Sequence, residues 1–159
     1  MSELENIAKR VGLKLKEKNY MLTTAESCTG GGIAYAVTQI DGSSQWFDRG
    51  FVTYSNEAKQ EMLAVDAMLI ERFGAVSEEV ASAMARGALT NSRADVSIAI
   101  TGIAGPQGGT PSKPVGTVWL AFASKHFATK TLLCSLTGDR VTIREQSIRV
   151  SLETLLQLL

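Results

Sequence analysis

The ten residues Thr23–Gly32, with the sequence TTAESCTGGG, constrain the fold of this chain more than any other stretch. The apolar and β-branched residues that lead into them are typical of a short buried strand. The apolar residues from Ile33 to Ile40 recur at spacings that favour a helix. The polar and glycine residues therefore fill a strand-to-helix turn. Three consecutive glycines lower helix propensity, so we expect them to serve something other than stability.

Ser27 lies within this turn and has two interpretations. Glycine lets backbone N–H groups approach a ligand closely, and a helix N-terminus offers unpaired donors. A serine hydroxyl beside such donors combines a nucleophile with an oxyanion hole, the two parts that acyl transfer needs. The alternative is that Ser27 or Thr29 only caps the following helix, which is the commonest role of these residue types there.

The length and composition of the chain predict one globular domain over residues 1–159. The 16 basic residues balance the 16 acidic ones, so no net charge attracts nucleic acid or an anionic membrane. No apolar run has the length of a membrane span, and the acidic N-terminus does not resemble a signal peptide. We expect a cytoplasmic protein that binds neither nucleic acid nor membrane.

The chain contains two cysteines, Cys28 and Cys134, and one histidine, His126. Two cysteines are too few for a disulfide framework or a metal cage. With a single histidine in the chain, both a Ser–His triad and a multi-histidine metal site have little support. If the chain is an enzyme, we expect its base to be another residue type and no metal to take part.

Apolar periodicity and turn residues predict an alternation of helices and strands. Helices are expected over Glu3–Lys18, from the glycine turn to Gln39, from Ser55–Asn56, over Asp66–Phe73, from Ser77, and from Gly138–Asp139 to Leu159. Strands are expected over Tyr20–Ala25, Trp46–Tyr54, Asp95–Thr101, Val115–Ser124 and Phe127–Ser135. The last two form an antiparallel hairpin with a tight connection near Lys125–His126.

This order predicts an α/β fold with a mostly parallel sheet, helices on both faces and one antiparallel strand. In such sheets, ligands bind outside the carboxyl ends of the parallel strands. Three of these ends carry polar or glycine residues, namely Glu26–Ser27, Tyr54–Ser55 and Thr101–Gly102. Their coincidence favours a functional role for Ser27.

Lysine is the main alternative to histidine as the base for a serine nucleophile. Lys59 follows the second strand in the first turn of a predicted helix, where burial and the helix N-terminus lower the pKa of an ammonium. Tyr54 is placed to bridge Ser27 and Lys59 or to stabilise a transition state. The alternatives are a solvated lysine and a core tyrosine, and the spacing does not choose between them.

The loop Thr101–Gly109 is a second glycine-rich stretch after a strand. Its N–H groups suit an anion-binding nest, but it lacks the phosphate-binding and dinucleotide-binding fingerprints, and an ordinary turn is the alternative. Arg140 offers a planar guanidinium that suits phosphate, or it forms a surface pair with a residue four positions away on its helix.

We interpret Cys28 as a small buried filler. Glu26 either orients Lys59 or a ligand, or caps backbone donors.

Several motifs together resemble the CinA carboxy-terminal domain family over essentially the whole chain. They lie at Thr24–Gly31, Gly50–Lys59, Gly74–Ser77, Thr101–Pro106, Lys113–Val118 and Gly138–Arg140. The resemblance implies a three-layer α/β/α sandwich with a mixed sheet of about five strands. It also implies a homodimer or a higher homo-oligomer.

The stand-alone members of that family are nicotinamide-nucleotide amidases, which hydrolyse nicotinamide mononucleotide (NMN) to nicotinic acid mononucleotide and ammonia in pyridine nucleotide salvage. The resemblance implies a Ser–Lys amidase that uses no metal or cofactor, with Ser27 and Lys59 as the dyad and Tyr54 nearby. Some relatives keep the fold without the activity. The alternative is therefore a catalytically inactive nucleotide-binding or regulatory paralogue.

For the amidase, we expect the backbone N–H groups around Cys28, Thr29 and Gly30 to bind the oxyanion. We expect the ribose and phosphate of the nucleotide to contact Gly31, the loop residues Thr101, Gly102, Ala104 and Gly105, and Arg140. These predictions concern residues far apart in the chain, so they depend on how the elements pack.

Overall fold

The computed structural model describes residues 1–159, and its elements follow the predicted order. The six helices are α1 (Glu3–Lys18), α2 (Gly32–Thr38), α3 (Asn56–Leu63), α4 (Ala67–Phe73), α5 (Glu78–Thr90) and α6 (Arg140–Leu158). The five strands are β1 (Leu22–Glu26), β2 (Phe47–Val52), β3 (Val96–Gly102), β4 (Thr117–Ser124) and β5 (Lys130–Ser135). None of the helices combines the length and the apolar character that crossing a membrane requires.

The strands form one sheet in the order β2-β1-β3-β4-β5. β1 pairs in parallel with both β2 and β3, whereas β4 pairs antiparallel with both β3 and β5. β4 is thus the one strand that runs against the other four, which confirms the predicted mixed sheet. The parallel pairing brings the carboxyl ends of β2, β1 and β3 to the same edge of the sheet.

The two faces of the sheet bury side chains of different size. On one face, large residues such as Leu22, Ile98 and Leu120 pack against α1, α2 and α6. On the other face, the sheet presents small residues to α5, namely Ala25, Ala99, Ala121 and Ala123. Small side chains let the alanine-rich α5 approach the sheet closely, and α3 and α4 lie beside it. The result is the predicted three-layer α/β/α sandwich.

Some element boundaries differ from the prediction. β2 ends at Val52 rather than at Tyr54, because the carbonyl groups of Thr53 and Tyr54 accept hydrogen bonds from the Lys59 side chain instead of extending the ladder. The hairpin connection covers residues 125–129 rather than two residues. The hydroxyl of Ser124 accepts a hydrogen bond from the backbone N–H of His126 there, which forms a local turn.

Side-chain caps set where α3 and α6 begin, and both helices contribute to the site described below. The Ser55 hydroxyl accepts a hydrogen bond from the Ala58 N–H at 3.0 Å. The Asp139 carboxylate accepts one from the Thr142 N–H at 2.9 Å. Ser55 is therefore the N-cap of α3, and Asn56 is the first residue of the helix.

Gly87 of α5 allows close approach of the end of α3. A Cβ atom at position 87 would lie 2.0 Å from the carbonyl oxygen of Leu63, so no side chain fits there without displacing α3. This contact holds α3 against α5, and α3 carries Lys59.

Candidate active site

A cavity of about 250 Å³ opens at the carboxyl ends of β1, β2 and β3. This is the edge at which the sequence predicts three polar strand ends to meet. The wall combines residues from five separate parts of the chain: Ser27, Cys28, Tyr54, Asn56, Lys59, Ala75, Val76, Thr101, Gly102, Ala104 and Arg140.

Ser27 and Lys59 meet in this cavity. The Nζ atom of Lys59 lies 3.1 Å from the Oγ atom of Ser27. The backbone N–H of Ser27 donates to the carbonyl of Ile100 at 3.1 Å, which ties the turn after β1 to β3. The structure thus brings together the two residues that the sequence suggests as nucleophile and base.

Lys59 is buried, with 1% of its surface exposed, so it is not the solvated lysine of the alternative interpretation. Burial lowers the pKa of its ammonium, while the nearby Cys28 and Glu57 side chains act in the opposite direction. Its Nζ atom contacts three carbonyl oxygens, those of Thr53 at 3.0 Å, Tyr54 at 3.2 Å and Ser55 at 3.5 Å. A neutral amine has two N–H donors for the two shorter contacts, and its lone pair then remains for the Ser27 hydroxyl proton.

Glu26 provides the cap of α2 and explains why neither Ser27 nor Thr29 does so. Its buried carboxylate accepts hydrogen bonds from the Thr29 hydroxyl at 2.6 Å, the Ile33 N–H at 2.8 Å and the Ala34 N–H at 3.0 Å. The N-cap residue itself is Gly31, which has no side chain to cap with. The capping interpretation of Ser27 is therefore wrong, and of the roles considered for Glu26 the structure shows the capping of backbone donors.

The turn after Ser27 leaves backbone donors free. The N–H groups of Cys28 and Thr29 have no hydrogen-bond partner within the protein, whereas the Gly30 N–H donates to the Ser27 carbonyl at 3.1 Å. This bond removes Gly30 from the three donors that we expected to bind an oxyanion. Cys28 and Thr29 keep that predicted role.

Cys28 adjoins the nucleophile but packs into the core between the sheet and α1, α2 and α6. Burial raises the pKa of its thiol to about 12. A thiol with such a pKa is almost entirely protonated near neutral pH and is a poor nucleophile. The structure agrees with the interpretation of Cys28 as a small buried filler.

Tyr54 is not a core aromatic residue, and its side chain does not bridge Ser27 and Lys59. Its side chain is mostly exposed, and its hydroxyl accepts a hydrogen bond from the Nη2 atom of Arg140 at 3.1 Å. The Nη1 atom of the same guanidinium donates to the Gly105 carbonyl at 2.8 Å. The backbone carbonyl of Tyr54, rather than its hydroxyl, contacts both Ser27 and Lys59.

The predicted nucleotide-binding residues divide into two groups. Thr101, Gly102, Ala104 and Arg140 line the cavity, although the Thr101 hydroxyl already donates to the Ala75 carbonyl at 2.9 Å. Gly31 and Gly105 lie outside the wall, and so do Thr29 and Gly30, which were predicted for the oxyanion. The carbonyl of Gly105 nevertheless orients Arg140, and Gly31 supplies the left-handed backbone, with φ of 96°, that starts α2.

The sequence model of the CinA C-terminal domain matches residues 4–159. The chain belongs to the CinA C-terminal domain family. It is 51% identical over 159 residues to the nicotinamide-nucleotide amidohydrolase PncC of Enterobacter agglomerans, a match that covers 99% of this chain and 97% of that protein. It is also 51% identical to PncC of Escherichia coli strain K12, over 98% of this chain and 94% of that one.

A solved structure of a similar protein has the same fold. The competence/damage inducible protein CihA from Agrobacterium tumefaciens superposes with a TM-score of 0.96 at 45% sequence identity, over 99% of this chain and 96% of that one. The family resemblance predicted from the motifs is therefore confirmed, and so is the predicted fold class.

The sequence patterns did not single out four residues at or beside this site. Asn56 lines the cavity, and its spacing of three residues from Lys59 on one helix is the signal that identifies it. Ala75 and Val76 line it from the motif Gly74–Ser77. Arg144 of α6 donates to the Cys28 carbonyl at 3.0 Å and to the Thr29 carbonyl at 3.3 Å. It follows Arg140 by one helical turn and therefore shares its face.

Proposed function

We propose that this chain is a nicotinamide-nucleotide amidase, which hydrolyses NMN to nicotinic acid mononucleotide and ammonia in pyridine nucleotide salvage. The observation that carries the proposal is the buried Lys59 amine at 3.1 Å from the Ser27 hydroxyl. The choice of substrate is supported by the PncC relatives, which are named nicotinamide-nucleotide amidohydrolases and match over 97% and 94% of their length.

In the proposed mechanism, neutral Lys59 accepts the hydroxyl proton of Ser27 as the Oγ atom attacks the carboxamide carbon. A C–O bond forms, and the carbonyl oxygen becomes an oxyanion that the free N–H groups of Cys28 and Thr29 stabilise. The Lys59 ammonium then gives its proton to the amide nitrogen, the C–N bond breaks, and ammonia leaves. Water hydrolyses the acyl-enzyme, with Lys59 acting again as base.

The nucleotide part of the substrate is assigned to the rim of the cavity. Arg140 presents a fixed guanidinium there, held by Tyr54 and Gly105, and a planar guanidinium suits phosphate recognition. Thr101, Gly102 and Ala104 form the neighbouring wall and are proposed to contact the ribose. No step of the proposed mechanism requires a metal or cofactor, because Lys59 acts as base and acid and backbone N–H groups bind the oxyanion.

We also propose that the protein works in the cytoplasm as a homo-oligomer. Support for self-association comes from β5, an edge strand whose residues are exposed apart from the half-buried Cys134. An uncovered edge with apolar side chains, here Leu132 and Leu133, is a template for pairing with another strand. Light scattering of the purified protein, compared with a Leu133→Lys variant, tests this proposal: a monomeric wild type contradicts it.

Ammonia release from NMN, without added metal, tests the amidase proposal. We expect turnover by the wild type and by Lys16→Ala, in which an exposed lysine of α1 is removed. Ser27→Ala and Lys59→Ala are expected to stay folded, bind NMN and lose turnover. A folded wild type that binds NMN without releasing ammonia contradicts the proposal and favours the nucleotide-binding paralogue.

A further inference from the structure

Asn56 is a residue of the cavity wall whose side chain makes no hydrogen bond within the protein. The cap of α3 is already provided by Ser55, whose hydroxyl accepts the Ala58 N–H. No hydrogen bond joins the Asn56 amide to any other group of the chain, yet the residue lines the cavity that holds Ser27 and Lys59. Helix capping therefore does not account for an asparagine at this position.

The helical register places Asn56 beside the base. Residues three positions apart on a helix lie on the same face, so Asn56 and Lys59 both belong to the face of α3 that borders the cavity. Lys59 extends inward to Ser27. Asn56 is exposed and begins the same helix one turn earlier, which puts it nearer the cavity mouth.

The other polar side chains of the wall have partners in the protein. Lys59 contacts Ser27 and three carbonyl groups. The Thr101 hydroxyl donates to Ala75, and Arg140 contacts both Gly105 and Tyr54. In Asn56, the acceptor oxygen and the two N–H donors of the amide have no partner in the protein. A carboxamide ligand carries an N–H donor and a carbonyl acceptor, which complement these groups.

We infer that Asn56 binds the carboxamide of the substrate, an inference that rests on the proposed amidase function. Its Oδ1 atom accepts a hydrogen bond from the amide nitrogen of the substrate and turns that nitrogen towards Lys59. Lys59 is the group that protonates the nitrogen as it leaves. Asn56 thus orients the leaving group. It favours the amide over the carboxylate of the product, which has no N–H to donate to Oδ1 and can bind Asn56 only through the Nδ2 donors.

The first test compares the kinetics of ammonia release from NMN by wild type, Asn56→Ala and Glu61→Ala. Glu61 is an exposed residue of the same helix that does not line the cavity, so its replacement is the matched control. We expect Asn56→Ala to lower kcat/KM by roughly 10- to 100-fold, because the amide nitrogen of the bound substrate then loses its hydrogen-bond partner. Glu61→Ala is expected to keep the wild-type value.

The second test measures binding of NMN and of nicotinic acid mononucleotide in the non-reacting Ser27→Ala background. Adding Asn56→Ala should weaken NMN binding more than product binding. Adding Asn56→Asp should retain an acceptor for the amide but repel the product carboxylate, so the preference for NMN should increase. Aspartate is well tolerated near a helix N-terminus, so this variant is expected to fold.

Equal weakening of both nucleotides, or no weakening of either, overturns the role of Asn56. The two proposals fail in distinguishable ways. A wild type that releases no ammonia contradicts the amidase function. A wild type that does release ammonia, accompanied by an Asn56→Ala variant with unchanged kinetics and unchanged nucleotide preference, contradicts only the assignment of Asn56.

Discussion

The Nζ atom of Lys59 lies 3.1 Å from the Oγ atom of Ser27, although 32 positions separate the two residues in the chain. The contact forms because β1 and β2 are parallel neighbours, so the segments that follow them leave the sheet at the same edge. Ser27 follows β1 directly, and α3 begins four residues after β2 ends. The dyad is thus a consequence of strand pairing, and its chemistry depends on the protonation of Lys59.

Activity should rise with pH through the pKa of Lys59. Burial lowers this pKa below the usual value for lysine, and the deprotonated amine is the form that accepts the serine proton. The rate should therefore increase as pH rises and level off before about 10.4, the value for an exposed lysine. Measuring kcat/KM between pH 6 and pH 10, roughly the span from the ordinary histidine pKa to that of lysine, checks this.

Lys59→Arg is the control for that pH profile. A guanidinium stays protonated throughout the accessible range, so this variant should be inactive at every pH tested. A wild-type profile that falls as pH rises, or an active Lys59→Arg variant, would contradict the assignment of Lys59 as base.

Replacing Glu26 should destabilise the fold. Glu26→Ala leaves the Thr29 hydroxyl and the N–H groups of Ile33 and Ala34 without their acceptor. Buried donors that lose a charged partner cost about 3 kcal/mol in the free energy of unfolding. Urea denaturation measures this value, with the exposed Glu145→Ala as the control. A loss below about 0.5 kcal/mol, the usual size for a surface substitution, would show that the cap is dispensable.

Removing the Cys28 thiol should leave catalysis intact. Its pKa of about 12 keeps it protonated, and the residue serves as core packing. We expect Cys28→Ala to retain activity within about threefold and to lose about 1 kcal/mol of stability, the typical effect of a point substitution. Ammonia release and thermal melting measure the two effects. Complete loss of turnover in a folded Cys28→Ala protein would instead make the thiol a participant.

Arg140 should affect substrate binding more than the chemical step. Arg140→Lys keeps the positive charge but has no planar fork to contact the Tyr54 hydroxyl and the Gly105 carbonyl together. We expect KM for NMN to rise by about tenfold, equivalent to about 1.4 kcal/mol, with a smaller change in kcat. Steady-state kinetics alongside Arg86→Lys, an exposed substitution on α5, test this. An unchanged KM rules out the proposed contact.

Gly87→Ala should lower both stability and activity. The new methyl group would lie 2.0 Å from the Leu63 carbonyl oxygen, so α3 must move away from α5, taking Lys59 with it. Overpacking of this kind costs typically 1–3 kcal/mol, so we expect about 2 kcal/mol. Arg86→Ala, at the adjacent exposed position, is the control. Full activity at wild-type stability would mean that the two helices separate without consequence for the dyad.

Much of the fold follows from local patterns. The helix α1 matches its predicted span Glu3–Lys18, because its apolar residues recur at helical spacing and a capping box at Ser2 starts it. The one antiparallel strand follows from a short connection between two apolar runs, β4 and β5. The end of β2 could not be predicted from local patterns, because the carbonyl groups beyond Val52 accept hydrogen bonds from a lysine side chain instead of from a neighbouring strand.

Local sequence patterns were enough to predict the α/β order, the strand-to-helix turn that carries Ser27, and the strand ends that border the cavity, because these depend on periodicity and turn residues close together in the chain. Which side chains meet depends on the packing of the folded chain. This packing buried Lys59 beside Ser27, gave the cap of α2 to Glu26, and turned the Tyr54 hydroxyl towards Arg140. These contacts join residues on different elements, so their distances are set by strand pairing and helix packing rather than by spacing along the chain.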